Sequence, residues 1–377
     1  MATSVRLSRR WAVPALALVG VVGIGTAPTL FPASASTPTL PTISAADLLA
    51  KAATSKVEAL SGTVKLTSRL GIPSLSSLGS IGPSGNLLTS LLAGSHSAQI
   101  WVNGPDHARI ALPAALAETN WIRSGSDVWS WDSATQTATH LTLPAKAEAK
   151  AAARSVEKVQ SPIAMAQELL SSVTPSTNVS VRTPRYVAGR AVYQLVLSPK
   201  AAGSTIREVT VAVDAVTGVP LDLSVYGLAS KPAFELGFSK VSFTAPSAST
   251  FAFTPPKGSI VKQATSASQL LSAGPSDRGE RHSSSGTPDV SSPTTAGKPT
   301  ILGTAWNSVA VISGMSGNLN GALGGLIQGA PTVTIGSHTG RLIHTTLVNA
   351  IVLDDGRIAV GAVTPSVLEA TLRTAKV

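Results

Sequence analysis

Few residues of this sequence have the types and spacing that catalysis requires. The six histidines form no H-x-x-x-H, H-x-H or H-E-x-x-H segment, so the common metal-ligand spacings do not occur. No G-x-S-x-G segment presents a serine nucleophile, and the absence of cysteine excludes thiol catalysis and disulfides. Asp354 and Asp355 are adjacent, but Gly356 follows, which favours a solvated turn over an acid–base pair. We therefore expect no catalytic residue, no metal and no cofactor, that is, no enzyme.

Composition and charge indicate which kinds of molecule this protein is able to bind. Charged residues make up only 13% of the 377 residues and hydrophobic residues 43%, which excludes a wholly disordered chain. The net charge of +10 comes from lysines and arginines that are scattered and form no run of five. No glycine-rich phosphate-binding segment is present. These features argue against nucleic acid and nucleotides as partners, and they fit a modest attraction to a membrane surface.

The first 35 residues have the pattern of an export signal. Arg9 and Arg10 precede an uncharged stretch that begins at Trp11, and small residues at 33–35 suit a signal peptidase. We expect cleavage after Ala35 and an extracytoplasmic location, in the cell envelope or secreted. The alternative is an uncleaved membrane anchor, because the residues from Trp11 to Phe31 are uncharged and long enough to span a bilayer.

Hydrophobic periodicity predicts two helices and many strands after this signal. Ser44 caps a helix over Ala45–Ala59, and Ser161 with Pro162 begins a second helix that reaches Ser171. Alternating residues predict two sets of strands, which are Ser61–Leu70, Ala98–Val102, His107–Leu112, Asn120–Arg123, Val128–Asp132 and Thr137–Leu143, then Thr177–Arg182, Arg190–Ser198, Arg207–Asp214, Pro220–Tyr226, Ala233–Phe243 and Phe251–Phe253. Consecutive strands with one apolar face predict an α+β fold, in which a curved antiparallel sheet is covered by helices.

Composition also divides the chain. We predict a signal peptide over 1–35, a sheet domain over 36–263, a flexible linker rich in Ser, Thr, Pro and Gly over 264–299, and a small β-containing segment over 300–377. In that last segment, strands Leu347–Leu353 and Arg357–Val363 flank a tight turn at Asp354–Gly356, and Thr300–Ser313 is also predicted as a strand.

A long apolar loop interrupts the first set of strands. No charged residue occurs between Arg69 and Asp106, and the segment Gly71–Gly94 contains eight leucines and isoleucines. Loops of this length are usually functional or disordered, and so many leucines argue against disorder. Three interpretations remain open: a lid over the sheet, a hairpin that inserts into a membrane or partner, and an ordinary plug of the core.

The tryptophans carry a resemblance to a known family. Trp101 lies at the end of one strand and Pro105 in the turn after it, and Gly125, Trp129 and Trp131 belong to the next hairpin, in the order seen in the superfamily of LolA, LolB and RseB (MucB). The sequence from Ser44 to Pro256 resembles this superfamily. The resemblance implies an unclosed half-barrel around helices, with an apolar cavity for acyl chains, as in outer-membrane lipoprotein carriers. Gly104 occupies the place of the arginine that latches the lid in the carrier, and neither Arg109 nor Arg123 aligns with it.

The resemblance implies a cavity and a lid, and the apolar pattern gives candidates for both. The ligand-binding candidates are Val64, Leu66, Leu70, Ile72, Leu75, Leu78, Ile81, Leu87, Leu88, Leu91, Leu92, Ile100, Val102, Trp129 and Trp131. The two tryptophans either stack in the core or line the cavity. Three functions stay open: a carrier of lipid or lipoprotein acyl chains, an RseB-like envelope regulator whose C-terminal segment binds a membrane signalling partner, and a structural protein with a filled core.

Overall fold

The computed structural model describes residues 37–55, 57–71, 93–114, 117–143, 176–266, 269–270, 299–313, 327 and 329–374. The predicted signal peptide over 1–35, the predicted helix from Ser161 to Ser171 and most of the predicted linker lie outside these residues. Two sheets and two α-helices organise the part that is described.

The larger sheet has twelve strands within the described residues. In chain order they are β1 (Ala59–Arg69), β2 (Ala93–Asn103), β3 (His107–Pro113), β4 (Glu118–Ser124), β5 (Asp127–Asp132), β6 (Thr137–Thr142), β7 (Thr177–Val187), β8 (Arg190–Pro199), β9 (Glu208–Asp214), β10 (Pro220–Tyr226), β11 (Phe234–Ser242) and β12 (Ile260–Gln263). Their spatial order is β12-β6-β5-β4-β3-β2-β1-β11-β10-β9-β8-β7, so the sheet stays open between β12 and β7. This curved, unclosed sheet confirms the predicted fold class.

Hairpins connect most neighbouring strands, and each pair is antiparallel except β12 with β6. The turn from Asp214 to Gly218 joins β9 to β10, as its sequence predicts. Glycines supply the positive φ that tight turns need, at Gly125 between β4 and β5 and at Gly218. The two halves of the sheet meet where β1 pairs with β11.

One helix, α1 (Ala45–Ala53), packs on β7, β8 and β9. The Ser44 hydroxyl accepts from the Asp47 N–H at 3.1 Å and caps the helix. Leu48 is buried against Tyr193 and Val213. We call the face that α1 covers the inner face of the sheet and the opposite one the outer face.

The predicted end of α1 at Ala59 is wrong, and the helix ends at Ala53. The apolar spacing continues to Leu60, yet Ala59 and Leu60 already pair with Asn103 and Val102 in the sheet. Long-range strand pairing therefore overrides the local helical period.

The predicted strand Phe251–Phe253 is also wrong. Residues Ala248–Phe251 form a 3-10 helix, and Phe251 is fully buried by the outer face of β3 and β4. The chain then forms β12, a parallel strand that sequence analysis missed. Beyond it, Ala264 and Leu270 are buried with Leu141, although both fall in the predicted linker.

The smaller sheet has six strands within the described residues, in the spatial order β13-β14-β18-β17-β16-β15. They are β13 (Thr300–Leu302), β14 (Val309–Ile312), β15 (Thr332–Ile335), β16 (His338–His344), β17 (Asn349–Leu353) and β18 (Ile358–Gly361). The turn at Asp354–Gly356 joins β17 to β18, as predicted. The predicted strand Thr300–Ser313 is instead two strands separated by a 3-10 helix over Ala305–Asn307.

A helix that sequence analysis missed, α2 (Pro365–Thr374), covers this smaller sheet. Leu368 and Leu372 lie one turn apart on the helix and are buried among Val309, Ile351 and Ala359. Pro365 is the first helical residue, a position where the missing N–H removes no hydrogen bond.

Backbone hydrogen bonds join the two sheets. The Thr205 N–H donates to the Ala362 carbonyl at 3.0 Å, and the Thr364 N–H donates to the Gly203 carbonyl at 2.8 Å. The Trp306 indole N–H donates to the buried Thr177 hydroxyl at 2.7 Å. The smaller sheet is therefore docked on the loop between β8 and β9 and on the start of β7.

Candidate functional site

An apolar strip runs along the inner face of the larger sheet. Leu66 pairs with Leu236 on β11, and the same row continues through Leu223 and Val211 to Leu195. Side chains on one face recur at every second residue of a strand, so Val64 shares this face with Leu66. Leu195 and Val211 belong to the cluster that packs against α1, which fixes the whole row to the inner face.

The strip extends in the other direction across β2 and β3. Val64 pairs with Ala98, and Ile100, two residues along β2, pairs with Ile110. Val64, Leu66 and Ala98 are buried, and Leu66 and Ala98 form one cluster with Leu112, Ile110, Trp121, Phe234 and Leu236. The structure thus brings together three of the predicted site residues, Val64, Leu66 and Ile100.

Two further predicted residues lie at the margins of this strip. Val102 is half-buried and pairs with Leu60, so it continues the inner row toward the end of β2. Leu70 follows the last residue of β1, and its carbonyl accepts from the Thr346 N–H at 2.8 Å. Leu70 therefore marks the place where the larger sheet meets the smaller one.

The predicted lid residues are Ile72, Leu75, Leu78, Ile81, Leu87, Leu88, Leu91 and Leu92, and all of them lie outside the described residues. The interpretation of this segment as a lid therefore stays a prediction.

Trp129 and Trp131 are not on the inner face. Trp129 pairs with Ile122, whereas the inner-face residue Trp121 pairs with Ser130. The alternation of β5 thus directs both tryptophans to the outer face, together with Trp101. The prediction that Trp129 and Trp131 line the same cavity as Val64 and Leu66 therefore disagrees with this register.

Aromatic packing explains what the two tryptophans do on the outer face. The Trp129 ring stacks on His140 with 4.2 Å between ring centroids, and Phe253 lies 5.5 Å from Trp129 and 6.1 Å from Trp131. Phe251 contacts His107 edge-on in the same layer. The segment after β11 therefore covers the tryptophans, as the stacking alternative requires.

Neither arginine considered as a latch faces the apolar strip freely. Arg109 lies over the Trp101 ring at 5.5 Å and donates to the Thr250 carbonyl at 3.3 Å, on the outer face. Arg123 forms an ion pair with Asp106 at 3.0 Å and donates to the Gly125 carbonyl. Both side chains hold loops against the sheet.

A row of polar side chains lies at one end of the apolar strip, and sequence analysis missed it. Trp121, Ser130 and Thr139 pair in turn across β4, β5 and β6 on the inner face. Ser130 is 1% exposed and Thr139 5% exposed. The indole N–H and both hydroxyls have no hydrogen-bond partner among the described residues. The sequence does contain a signal for this row, because Ser130 and Thr139 occupy inward positions in the alternating patterns of β5 and β6.

The ion pair of Arg190 with the buried Asp214 is structural. Burial would raise the pKa of Asp214, but hydrogen bonds from Arg190, at 2.6 and 2.9 Å, and from Thr217 outweigh it and hold the pKa below the ordinary value of 3.8. The Asp214 carboxylate also anchors the turn that leads into β10. It therefore stabilises the sheet at a distance from the apolar strip.

One cluster in the smaller sheet has metal-ligating residue types. His338 lies 3.1 Å from Asp354 and 3.5 Å from Asp355, a grouping that sequence spacing does not reveal because it joins a strand to a turn. Asp354 accepts from the Thr339 N–H and Asp355 pairs with Arg357 at 2.6 Å. These contacts give both carboxylates of the turn partners on β16 and at Arg357.

A groove of about 340 Å³ lies on the outer face beside the junction of β1 and β11. Its lining residues are Ser61, Gly62, Thr63, Gln99, Trp101, Lys240, Val241 and Ser242. Five of these eight residues have polar side chains, and the groove lies on the face opposite the apolar strip. Among the described residues, no helix has the length and apolarity needed to cross a membrane.

No protein-family model matches the sequence, and no curated protein matches it. Among solved structures, the chain is similar to the MucA/MucB complex of Pseudomonas aeruginosa, with 12% identity, a TM-score of 0.38, and coverage of 86% of this chain and 96% of the other. A crystal structure of MucB gives 13% identity and a TM-score of 0.35, covering 88% and 96%. A LolA superfamily protein of Nitrosomonas europaea gives 11% identity and a TM-score of 0.21, covering 56% and 99%.

These structures come from the LolA/RseB superfamily that the tryptophan segments resemble. With TM-scores below 0.5, the likeness says nothing about the ligand of this chain.

Proposed function

We propose that this chain is an exported, non-enzymatic protein of the cell envelope that holds acyl chains of a lipid or lipoprotein on the inner face of its open sheet. The observation that carries the proposal is the continuous apolar strip through Leu66, Ala98 and Ile100. The sheet is open between β12 and β7, so this face is not sealed by strand pairing.

Burial of an acyl chain supplies enough free energy for this role. Each buried methylene contributes about 0.8 kcal/mol, so a chain of roughly fourteen carbons contributes on the order of 10 kcal/mol before the costs of binding. The strip offers mainly aliphatic and aromatic side chains for this contact, and the polar neighbour His96 lies opposite Leu66. A lid over Gly71–Gly94 that occupies the strip when it is empty would lower the net affinity and permit release.

Location is part of the same proposal. The signal at 1–35 directs export, and the protein acts in the envelope or as a secreted protein, or stays anchored if the signal is not cleaved. Its partners are lipid or lipoprotein acyl chains and a membrane surface, without nucleic acid.

Native mass spectrometry of the full chain, purified without detergent, tests the proposal. We expect a co-purified acylated molecule, and delipidated protein should bind a fluorescent fatty-acyl probe. Ala98→Trp should fill the strip and reduce probe affinity at least tenfold, because Ala98 is buried beside Val64 and Leu66. The matched control is Ser97→Trp on the opposite side of the same strand.

Circular dichroism identifies variants that fail to fold. If Ala98→Trp does not fold, Leu66→Ala provides a second test of the same strip, because it removes side-chain volume and introduces no steric clash. Unchanged probe affinity in a folded Ala98→Trp, or a larger loss in Ser97→Trp than in Ala98→Trp, would show that the inner face is not the site. Absence of any bound lipid, together with no probe binding by the wild-type chain, would instead favour a structural protein with a filled core.

The second candidate function is an envelope regulator that senses lipid or lipoprotein. The docked smaller sheet favours it, because Leu70 at the end of the apolar strip bonds directly to Thr346 of that sheet. A membrane signalling partner would then bind through 300–377. Ile301→Ser and Val348→Ser change exposed apolar residues of this segment. They should weaken binding of a protein partner while lipid binding is retained; a carrier would lose no partner.

A further inference from the structure

The row of Trp121, Ser130 and Thr139 has unused hydrogen-bonding capacity in a buried place. The Trp121 Nε1, Ser130 Oγ and Thr139 Oγ1 atoms are buried and have no partner among the described residues. Buried polar side chains normally have hydrogen-bond partners, and a buried group without one is costly. Three such atoms on adjacent strands therefore indicate a place for a ligand.

Register puts the three atoms in one line. Trp121 pairs with Ser130, and Ser130 pairs with Thr139. Neighbouring strands are about 4.8 Å apart, so the row spans about 10 Å. Trp121 also packs in the cluster of Leu66 and Leu112, which makes the row continuous with the apolar strip.

The chemistry of the row selects its partner. An indole N–H only donates, and each hydroxyl is able to donate one hydrogen bond. The row thus offers three donors and fits a group with two or more acceptor oxygens. The two ester carbonyls of a diacylated glycerol are such a group, attached to the chains that the apolar strip would hold.

Charge argues for a neutral group. Asp132 lies two residues along β5 on the same face, and its Oδ2 is buried without a partner while Oδ1 accepts from Thr135. A phosphate or carboxylate of the ligand would be repelled there. Arg123, the cationic residue on this face of β4, is paired with Asp106.

We propose that Trp121, Ser130 and Thr139 bind the ester carbonyl oxygens of a neutral diacylglycerol-type ligand whose chains lie on the strip of Leu66, Ala98 and Ile100. This inference rests on the proposed function and adds the class of polar group that the site recognises. The Asp132 carboxylate accepts from the free hydroxyl of the same ligand.

The test compares two probes with the delipidated full chain. The probes are dioctanoylglycerol and dioctylglycerol diether, which has the same chains and hydroxyl but no carbonyl oxygens. We expect the wild-type protein to bind the diester about tenfold more tightly. Ser130→Ala with Thr139→Val removes two of the three donors, so it should reduce this preference several-fold while diether affinity changes little.

Controls separate the two proposals. Thr210→Val removes the hydroxyl of another buried threonine, on β9, and should keep the preference for the diester. If the wild-type chain binds neither probe, the proposed function is wrong. If the wild-type chain binds the diester and the diether with equal affinity, the proposal of acyl binding stands and the inference about the row is wrong. This comparison of the two probes requires no variant.

Two further measurements complete the test. Trp121→Phe removes one donor with little change of shape, and it should reduce the preference even if the double variant does not fold. Dioctanoyl phosphatidate should bind less tightly than dioctanoylglycerol because of Asp132. Tighter binding of the phosphatidate would overturn the assignment of a neutral ligand.

Discussion

At the scale of single residues, the Arg190–Asp214 pair should carry much of the stability of the larger sheet. The Asp214 side chain is 1% exposed and accepts two hydrogen bonds from Arg190. Arg190→Gln leaves this carboxylate buried without its cation, so we expect the free energy of unfolding to fall by about 3 kcal/mol. Urea unfolding at pH 7, followed by circular dichroism, measures the change.

The same pair predicts a pH dependence. The pKa of Asp214 is lower in the folded state than its ordinary value of 3.8, so the folded state gains stability above that value. This contribution decreases as pH falls below about 4 through the folded-state pKa. The decrease should be smaller in Arg190→Gln.

Arg373→Gln breaks the exposed pair with Glu369 and serves as the control, with a change in the free energy of unfolding below about 0.5 kcal/mol. An equal loss in both variants would contradict the prediction.

Ser130 gives the opposite prediction for stability. Its hydroxyl is buried without a partner, so Ser130→Ala should stabilise the ligand-free protein by about 1 kcal/mol, or raise Tm by roughly 2 to 4 °C. Ser224 is equally buried, but its hydroxyl donates to Asp222 at 3.1 Å. Ser224→Ala should therefore lower Tm. Differential scanning calorimetry of the delipidated proteins measures both changes in Tm. A lower Tm for Ser130→Ala would show that the Ser130 hydroxyl has a hydrogen-bond partner.

Residue patterns predicted only part of the candidate site. The alternation of β1 and β2 placed Val64, Leu66 and Ile100 on one face, because period-2 burial is visible in the sequence. The same rule does not say which face of β5 points inward. Trp129 was grouped with the apolar strip for that reason, whereas pairing with β4 directs it outward.

At the scale of elements, the junction of β1 and β11 depends on a residue without a side chain. A Cβ atom at Gly62 would lie 2.3 Å from the Lys240 carbonyl oxygen and 2.9 Å from the Phe238 ring. A β-bulge follows directly, at Thr63 and Val64. Gly62→Ala should destabilise the protein by about 2 kcal/mol through this clash. Chemical unfolding measures it, with Ser61→Ala as the neighbouring control, and equal stability of the two variants would refute the prediction.

Elements formed by local signals were predictable, and those formed by distant pairing were not. Hairpins such as β9 to β10 follow from the turn at Asp214 to Gly218. The parallel strand β12 has four exposed residues and no alternation, so only its pairing with β6 defines it. The helix α2 did carry a signal, with Pro365 before Leu368 and Leu372, and this spacing was overlooked.

At the scale of the whole molecule, the two sheets should unfold together. Besides the backbone bonds, the buried Thr205 hydroxyl donates to the Leu347 carbonyl across the interface. Removal of this donor leaves a buried carbonyl without its bond, at a cost of about 1 to 3 kcal/mol. Thr205→Val should therefore weaken the docking of the smaller sheet, and calorimetry should show the single transition of the wild-type chain split into two.

The interface between the two sheets lies at the end of the apolar strip, so its stability bears on function. Leu70 ends the strand that carries Val64 and Leu66, and it bonds to Thr346 of the smaller sheet. Hydrogen exchange should therefore increase at Thr346 and Thr364 in Thr205→Val, and an acyl ligand should slow exchange at Thr346 in the wild-type chain. Thr371→Val, which removes a hydroxyl of α2 bonded only within its helix, should change neither measurement. If ligand leaves exchange at Thr346 unchanged, the smaller sheet does not respond to the strip, and the carrier function is favoured over the regulator.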